Sequence, residues 1–580
     1  MRVLLLHPED QIPAARRGGG WDLVVDLGRA PVSTYESWGK QAGCRVISLH
    51  DFARDREDLQ RVRELFQLGF GQMVDAQGID WWDVLSLLFE SNLRQLMLIG
   101  RLARELKGGC ELHASRSSSL ATALQILTKT SPVRIEAGFR PLQWARHYRA
   151  FFTQLDGAQI SQIFQDKLDR EHRLRRRLIR HRRVAGDPVV LLPSAYINVS
   201  RTAVSYAALL PREKFFLVYA RNSARLRKTP SNVSTAPLDP YFVPADPVEA
   251  RALSRAWELL EARLIAGAEE YSAAKATGVL DGIPGSMRWG IALRDAWIQV
   301  FESEAIVGCL CADDSNPYTR LPLILARNRG IPTLACHHGA LDSKMAVKTA
   351  HADVYLAKGE IERDYLVRSC GVAAERIVLG GQGLPSATDS TKATVRSNEP
   401  WLVFFTEPYQ AAGWRADEVY RDLLPELWSL AQTCGLKLVF KIHPFESVRG
   451  HRRILRKYLP RQEARIGVIA GAPSPHLWRN TRFALTVQST VALQCTSLGI
   501  PVFLCSWLQD STSGYVEQFA RFGIGHILKS ADELNEVPRL LAINSKNIQI
   551  RPTLWETMDP AKLRDLLLRA PLPEAIQAQA

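Results

Sequence analysis

Four short groups of residues carry whatever chemistry this chain performs. In the last third, Lys441-Ile442-His443-Pro444 ends a segment, residues 438–442, that is apolar except for Lys441 and reads as a buried parallel strand. A cation and an imidazole two positions apart on a strand end point to the same side, and Pro444 takes the chain out of the strand. Further on, Gln488-Ser489-Thr490 opens a helix-like segment that runs to Gly499, and residues 500–504 read as another strand. A strand, a basic turn and a hydroxyl-rich helix start together make a phosphate site. Backbone N–H groups and the positive end of the helix dipole face the anion, while Lys441 or His443 adds charge. Ser489 and Thr490 would equally cap the first N–H groups of the helix, and the two uses do not exclude each other. Gln494, about one turn in from the cap, would reach a ribose hydroxyl.

The other groups also follow strand candidates. Thr406-Glu407-Pro408 comes after residues 401–405, where Thr406 would donate to phosphate or Glu407 would face a sugar; an ordinary turn reads equally well. His337-His338-Gly339 comes after residues 333–336, and His338 is a candidate general base, since an unperturbed imidazole titrates near neutrality. Asp313-Asp314 ends the strand candidate 306–311 and supplies secondary base candidates, although the pair would equally bond an acceptor sugar or cap the following helix. No metal centre is expected: adjacent histidine side chains on extended chain diverge, and no carboxylate or cysteine triad completes a site. Cys309 and Cys311 share one strand face and read as a reduced core pair. Gly380-Gly381-Gln382-Gly383 lacks the dinucleotide-binding spacing and reads as a flexible exit toward a linker.

Stepping from these residues to what must hold them, short apolar runs alternate with helical stretches along the whole chain. That pattern gives an α/β fold with parallel sheets covered on both faces. Two Rossmann-like doubly wound domains facing across a cleft are expected, with an extended N-terminal region. The boundaries fall at 1–185 for the N-terminal α/β region, 186–390 for an acceptor-side domain and 396–580 for a nucleotide-donor-binding domain. Residues 387–400, polar and aperiodic, form the linker. In such domains ligands sit beyond the carboxyl ends of the strands, where all four groups lie.

Composition narrows the partners. At 580 residues, 46% apolar and 23% charged, the chain holds several domains with ample core. Its apolar start, Met1-Arg2-Val3-Leu4-Leu5-Leu6, turns polar at once and reads as a first core strand, and residues 81–100 contain Asp83, Glu90 and Arg94, so they read as a buried helix and not a span. Nine scattered cysteines imply a reducing, cytoplasmic setting. The net charge of +14 calls for an anionic partner. Much of the excess lies in Arg170–Arg183, with eight arginines and two histidines against one glutamate. That run reads as a solvated helix face or as a contact with anionic lipid headgroups at the inner face of the plasma membrane. Nucleic acid is disfavoured, because no zinc-finger spacing, RNA-binding aromatic motif or basic heptad pattern accompanies it.

The order and spacing of His338-Gly339, Lys441-Ile442-His443-Pro444 and Ser489-Thr490 resemble GT-B glycosyltransferases of the bacterial surface-carbohydrate and capsule polysaccharide group, related to the CDP-glycerol glycerophosphotransferases. The resemblance covers residues 306–528. It implies a metal-independent transferase without a cofactor, moving a sugar from a nucleotide-activated donor to a surface polysaccharide or lipid-linked glycan, or alternatively a polyol phosphate. Lys441 and His443 would contact the donor phosphates, and the earlier histidine or a carboxylate would be the base. Gln494 departs from the pattern, standing where many such enzymes carry a ribose-binding glutamate. Glu136-Ala137-Gly138-Phe139-Arg140 resembles an element of non-hydrolysing UDP-sugar 2-epimerases, although Arg134 replaces its leading histidine. A third alternative is a non-catalytic scaffold that keeps the fold.

Overall fold

Short apolar runs become the strands of three parallel sheets. The computed structural model describes residues 1–8, 10, 20–106, 109–114, 118–135, 186–243, 245–339, 341, 351–383, 399–409, 414–444, 446–509, 515–544 and 554–568. The arginine run at 170–183 and the element at 136–140 lie outside them.

The first sheet holds β1 (Arg2–Leu6), β2 (Leu23–Asp26), β3 (Arg45–Ser48), β4 (Glu111–Ala114) and β5 (Arg134–Ile135), in the order β3-β2-β1-β4-β5. The second holds β6 (Val189–Ser194), β7 (Phe215–Tyr219), β8 (Val233–Pro237), β9 (Ile306–Cys311), β10 (Thr333–Ala335), β11 (Val354–Ala357) and β12 (Ile377–Leu379), ordered β12-β11-β10-β9-β6-β7-β8. The third holds β13 (Trp401–Phe405), β14 (Lys437–Lys441), β15 (Gly467–Ile469), β16 (Thr481–Thr486), β17 (Val502–Cys505) and β18 (His526–Leu528), ordered β15-β14-β13-β16-β17-β18. Each sheet grows outward from a central strand and then reverses, which makes it doubly wound. The reversals fall between β1 and β4, β6 and β9, and β13 and β16.

The central strands are mostly apolar because helices cover both faces, which buries most positions whichever way they point. β7 (Phe-Phe-Leu-Val-Tyr) is buried along its whole length, and β13 and β14 are buried except for a half-buried first residue. β8 is an exception that periodicity did not reveal: Val-Ser-Thr-Ala-Pro lies at a sheet edge with two exposed residues, inside a stretch that reads as polar loop. The helix Trp81–Leu106 is the buried helix expected, with Trp81 and Trp82 fully enclosed, and no described helix is long and apolar enough to cross a membrane.

The chain forms two compact units. One comprises Met1–Asp58, Arg94–Gln162 and Pro385–Arg551, and therefore contains the first and third sheets; the other comprises Leu59–Leu93, Ile163–Leu384 and Pro552–Ala580, around the second sheet. In the second unit the late helix Pro560–Leu568 packs on the sheet through Leu563 and Leu567. Gly308 permits this, since a Cβ there would stand 2.6 Å from the Leu567 carbonyl oxygen. The Gly380–Gly383 stretch is pinned, not a loose exit: Gly381 exchanges backbone bonds with Glu556 and Met558, and Tyr206 donates to the Gly380 carbonyl at 2.9 Å.

Within the first unit, the strand ends of the first sheet are filled by the chain itself. The Arg415 guanidinium bonds both carboxylate oxygens of Asp26, at 2.7 and 3.0 Å, and the carbonyls of His7, Pro8 and Asp10. Arg415 and Asp26 are both almost fully buried.

Candidate functional sites

Two groups of side chains gather at the carboxyl ends of strands, one in each unit, and both sit at a reversal of strand order, where doubly wound sheets leave a crevice.

In the third sheet, the end of β14 meets the end of β13. Thr406 accepts the His443 backbone N–H at 3.0 Å and donates to the Glu446 carboxylate, which also accepts that N–H at 3.2 Å. Thr406 is thus committed to a carboxylate inside the protein. Lys441 is buried and its ammonium donates to the Ile442 carbonyl at 3.0 Å. Burial and the charge of Lys441 lower the His443 pKa to about 4, so its imidazole is neutral at physiological pH. Behind it, Tyr420 joins Glu446, at 3.4 Å, to His451, at 2.9 Å, and burial lowers His451 to about 4 as well.

Glu407 and Glu446 are the unusual groups. Desolvation pushes the Glu446 carboxyl up to about 7 against the pull of Thr406 and the His443 N–H. Desolvation pushes Glu407 up to about 8, although the Gln488 backbone N–H bonds it. Among the described residues, neither the Oε1 atom of Glu407 nor the Tyr409 hydroxyl has a hydrogen-bond partner. Glu407 ties the end of β13 to the turn after β16, where Ser489 accepts the Val491 N–H at 3.4 Å. The helix that follows is short, Val491–Ser497, and Thr490 at its N-cap makes no side-chain cap bond. Gln494 lies half-buried on it, and Gly499, at φ +70°, ends the segment in the conformation glycine adopts freely.

In the second sheet, Asp313 and Asp314 follow β9, and His337 and His338 follow β10. Asp313 is buried; its Oδ1 accepts the Ser315 N–H at 2.9 Å, and its Oδ2 accepts Asn316 at 3.0 Å and the Tyr196 hydroxyl at 2.5 Å. Tyr196, just beyond β6, also meets His338 Nδ1 at 3.3 Å. Asp314 takes a different direction, fully buried with the Tyr355 hydroxyl donating to it at 3.0 Å, which fits a structural carboxylate better than a base. The His337-His338-Gly339 loop is held by Lys358, whose buried ammonium donates to the carbonyls of His337 and Gly339 and pairs with Glu362 at 3.2 Å.

The two histidine rings do not diverge as extended chain predicts. Their centroids are 4.4 Å apart, where the chain bends at His338 and Gly339, and ligand atoms of Asp313, His337 and His338 all lie within 4.8 Å of one another. A cation there would have to displace the hydrogen bonds already on Asp313 and the Gly339 N–H that bonds His337 Nδ1 at 3.2 Å.

Sequence reasoning missed Glu446 and Tyr196. Glu446 stands three residues beyond His443, the span of one turn, and that spacing was its signal. Tyr196 had none beyond its place after a strand.

No protein-family model matches the sequence, and neither does any curated protein. Among solved structures the chain is similar to the UDP-GlcNAc 2-epimerase of Neisseria meningitidis bound to UDP-GlcNAc, with 11% identity, a TM-score of 0.40, and coverage of 66% of this chain and 97% of that one. It is similar to MurG of Acinetobacter baumannii, with 11% identity, a TM-score of 0.38 and coverage of 66% and 99%. It is similar also to Phytolacca americana UGT2 complexed with UDP-2fluoro-glucose and pterostilbene, with 13% identity, a TM-score of 0.36 and coverage of 65% and 93%. Scores this low carry no argument, so the class rests on the chain's own sheets: it is a doubly wound α/β protein with polar residues collected at its strand reversals.

Proposed function

We propose that the chain is a GT-B-type glycosyltransferase that moves a sugar from a nucleotide-activated donor to a surface polysaccharide or lipid-linked glycan, without a metal. What supports this reading is strand order: Lys441 and His443 follow β14 and the Ser489-Thr490 turn follows β16, the two neighbours of β13, and β13 with β16 forms the strand reversal of the third sheet. The donor belongs to that sheet, with Lys441, His443, Ser489 and Thr490 toward the phosphates and Glu407 and Gln494 toward the sugar or ribose. Thr406 serves by holding the His443 backbone. The acceptor belongs to the second sheet. There His338 takes the proton of the attacking hydroxyl as the new glycosidic bond forms, the bond from the anomeric carbon to the phosphate oxygen breaks, and the nucleotide leaves with that electron pair. Lys441 and the backbone N–H groups after β16 offset the charge that develops on the leaving group.

A thermal-shift panel of CMP, CDP, UDP, GDP and ADP on wild type and His443→Ala tests the donor site. The expected result is a rise with one nucleotide that the substitution abolishes. No rise with any of them overturns the donor reading, and binding without turnover on any acceptor marks a scaffold. Association with anionic membrane through Arg170–Arg183 is part of the same proposal. It predicts binding to anionic vesicles at low salt and release at high salt; failure to bind at low salt removes it.

A further inference from the structure

We propose that Tyr196 is the residue that sets the tautomer of His338, by carrying the acceptor-only character of the Asp313 carboxylate across one hydroxyl. The catalytic meaning of this arrangement rests on the transferase reading above; the arrangement itself does not.

A carboxylate has lone pairs and no proton to give. Asp313 already takes the Ser315 N–H on one oxygen and Asn316 on the other, so nothing about it can turn to donate. The Tyr196 hydroxyl, 2.5 Å from Oδ2, must therefore place its proton on the Asp313 side, in a short charge-assisted bond. What Tyr196 then offers His338, 3.3 Å away at Nδ1, is a lone pair. Nδ1 must carry the ring proton, and the lone pair of the neutral imidazole is left on Nε2. This is the logic by which the aspartate of a serine-protease triad fixes its histidine, with a phenol inserted between the two.

The surroundings hold that geometry. Tyr196 lies after β6 and Asp313 after β9, on either side of the strand reversal, and the Tyr196 and His338 rings meet edge to face, 5.2 Å apart at 89°. Among the described residues, the charged or titratable groups around the loop include Asp313 and Asp314 after β9, His337 within the loop, Lys358 after β11 and Glu362 on the helix Glu360–Arg368. Lys358 is bound to two loop carbonyls and to Glu362, and Asp314 takes the Tyr355 hydroxyl, while Asp313 is linked toward His338 through Tyr196. When Nε2 receives a proton from an acceptor hydroxyl, the imidazolium keeps its Nδ1–H bond to Tyr196, and the negative charge of Asp313 supports it one hydroxyl away.

The test is histidine NMR on the full-length protein without ligand, grown with 15N-labelled histidine and recorded where the ring is neutral. The His338 signals are assigned by their loss in His338→Gln. The expected wild-type state is Nδ1–H with an unprotonated Nε2. Tyr196→Phe should return the ring to the Nε2–H form that an unconstrained histidine side chain prefers. Asp313→Asn, which lets the tyrosine proton turn toward His338, should do the same, and it stands in if Tyr196→Phe disturbs the other histidine signals. An Nε2–H ring in wild type, or an Nδ1–H ring retained in the variants, overturns the proposal. Nucleotide binding plays no part in this readout. A negative nucleotide panel with an Nδ1–H ring sinks the donor reading and leaves the tautomer assignment standing; a positive panel with an Nε2–H ring does the reverse. Once a donor is in hand, Tyr196→Phe should lower kcat by roughly 10²-fold with the donor KM unchanged, which a general loss of fold would not produce.

Discussion

Replacing Glu407 by glutamine should stabilise the protein at slightly alkaline pH, and by much less in mild acid. Glutamine keeps the shape and the acceptor that receives the Gln488 N–H, and it removes a charge. The carboxyl is raised from 4.5 to about 8 in the folded chain. A raised carboxyl has full stability below the unfolded value and loses it as pH rises toward the folded one. At pH 7.5, three units above the unfolded value, keeping Glu407 protonated costs about 4 kcal/mol, at 1.36 kcal/mol per unit. At pH 5.5 the same arithmetic gives about 1.4 kcal/mol. The advantage of Glu407→Gln over wild type should therefore grow by roughly 3 kcal/mol between these pH values. Paired urea titrations of wild type and variant, followed by tryptophan fluorescence at both pH values, measure it. An advantage that stays flat would refute the assignment of a desolvated, protonated carboxyl. His443 and His451 impose the opposite limit: lowered to about 4 in the folded protein, they give stability that is full above 6.5 and is lost as pH falls toward 4. Glu446, raised to about 7, adds a second carboxyl to the Glu407 trend, and with two carboxyls set against two histidines the wild type should be most stable near pH 5.5, about midway between the unfolded values of 4.5 and 6.5.

Two further substitutions probe the packing. Arg415→Met should destabilise the first unit by about 3–5 kcal/mol, because it leaves the buried Asp26 carboxylate unpaired, and adding Asp26→Asn should recover part of that loss; urea midpoints of the single and double variants decide it. Gly308→Ala should cost roughly 1–3 kcal/mol as the new methyl meets the Leu567 carbonyl, and a melting temperature equal to wild type would show that the late helix shifts without penalty.

The alternation of strands and helices was legible in the sequence because double burial writes itself as unbroken apolar runs, as in Phe215–Tyr219 and Trp401–Phe405. β8 was not, since an edge strand with one solvated side carries serine and threonine. The pairing of Lys441 with His443 could be read because both lie on one strand end. Glu446, Tyr420 and Tyr196 could not be assigned, because their roles depend on which strand ends lie side by side, and a single sequence does not state strand order. The gathering of His337 and His338 could not be read, because the chain bends at His338 and Gly339 and the assumption of extended chain fails there.

The Arg415–Asp26 ion pair spans 389 residues. A ribosome releases Asp26 and the carbonyls of His7, Pro8 and Asp10 long before it releases the guanidinium that neutralises them. Until then the first sheet has its central strands with an uncompensated carboxylate at their ends, a non-local contact of the slow kind. Domains usually fold N-terminal first as they emerge; here the N-terminal sheet cannot complete its core until Arg415 has been made. The emerging chain therefore carries the unneutralised Asp26 carboxylate through most of its synthesis.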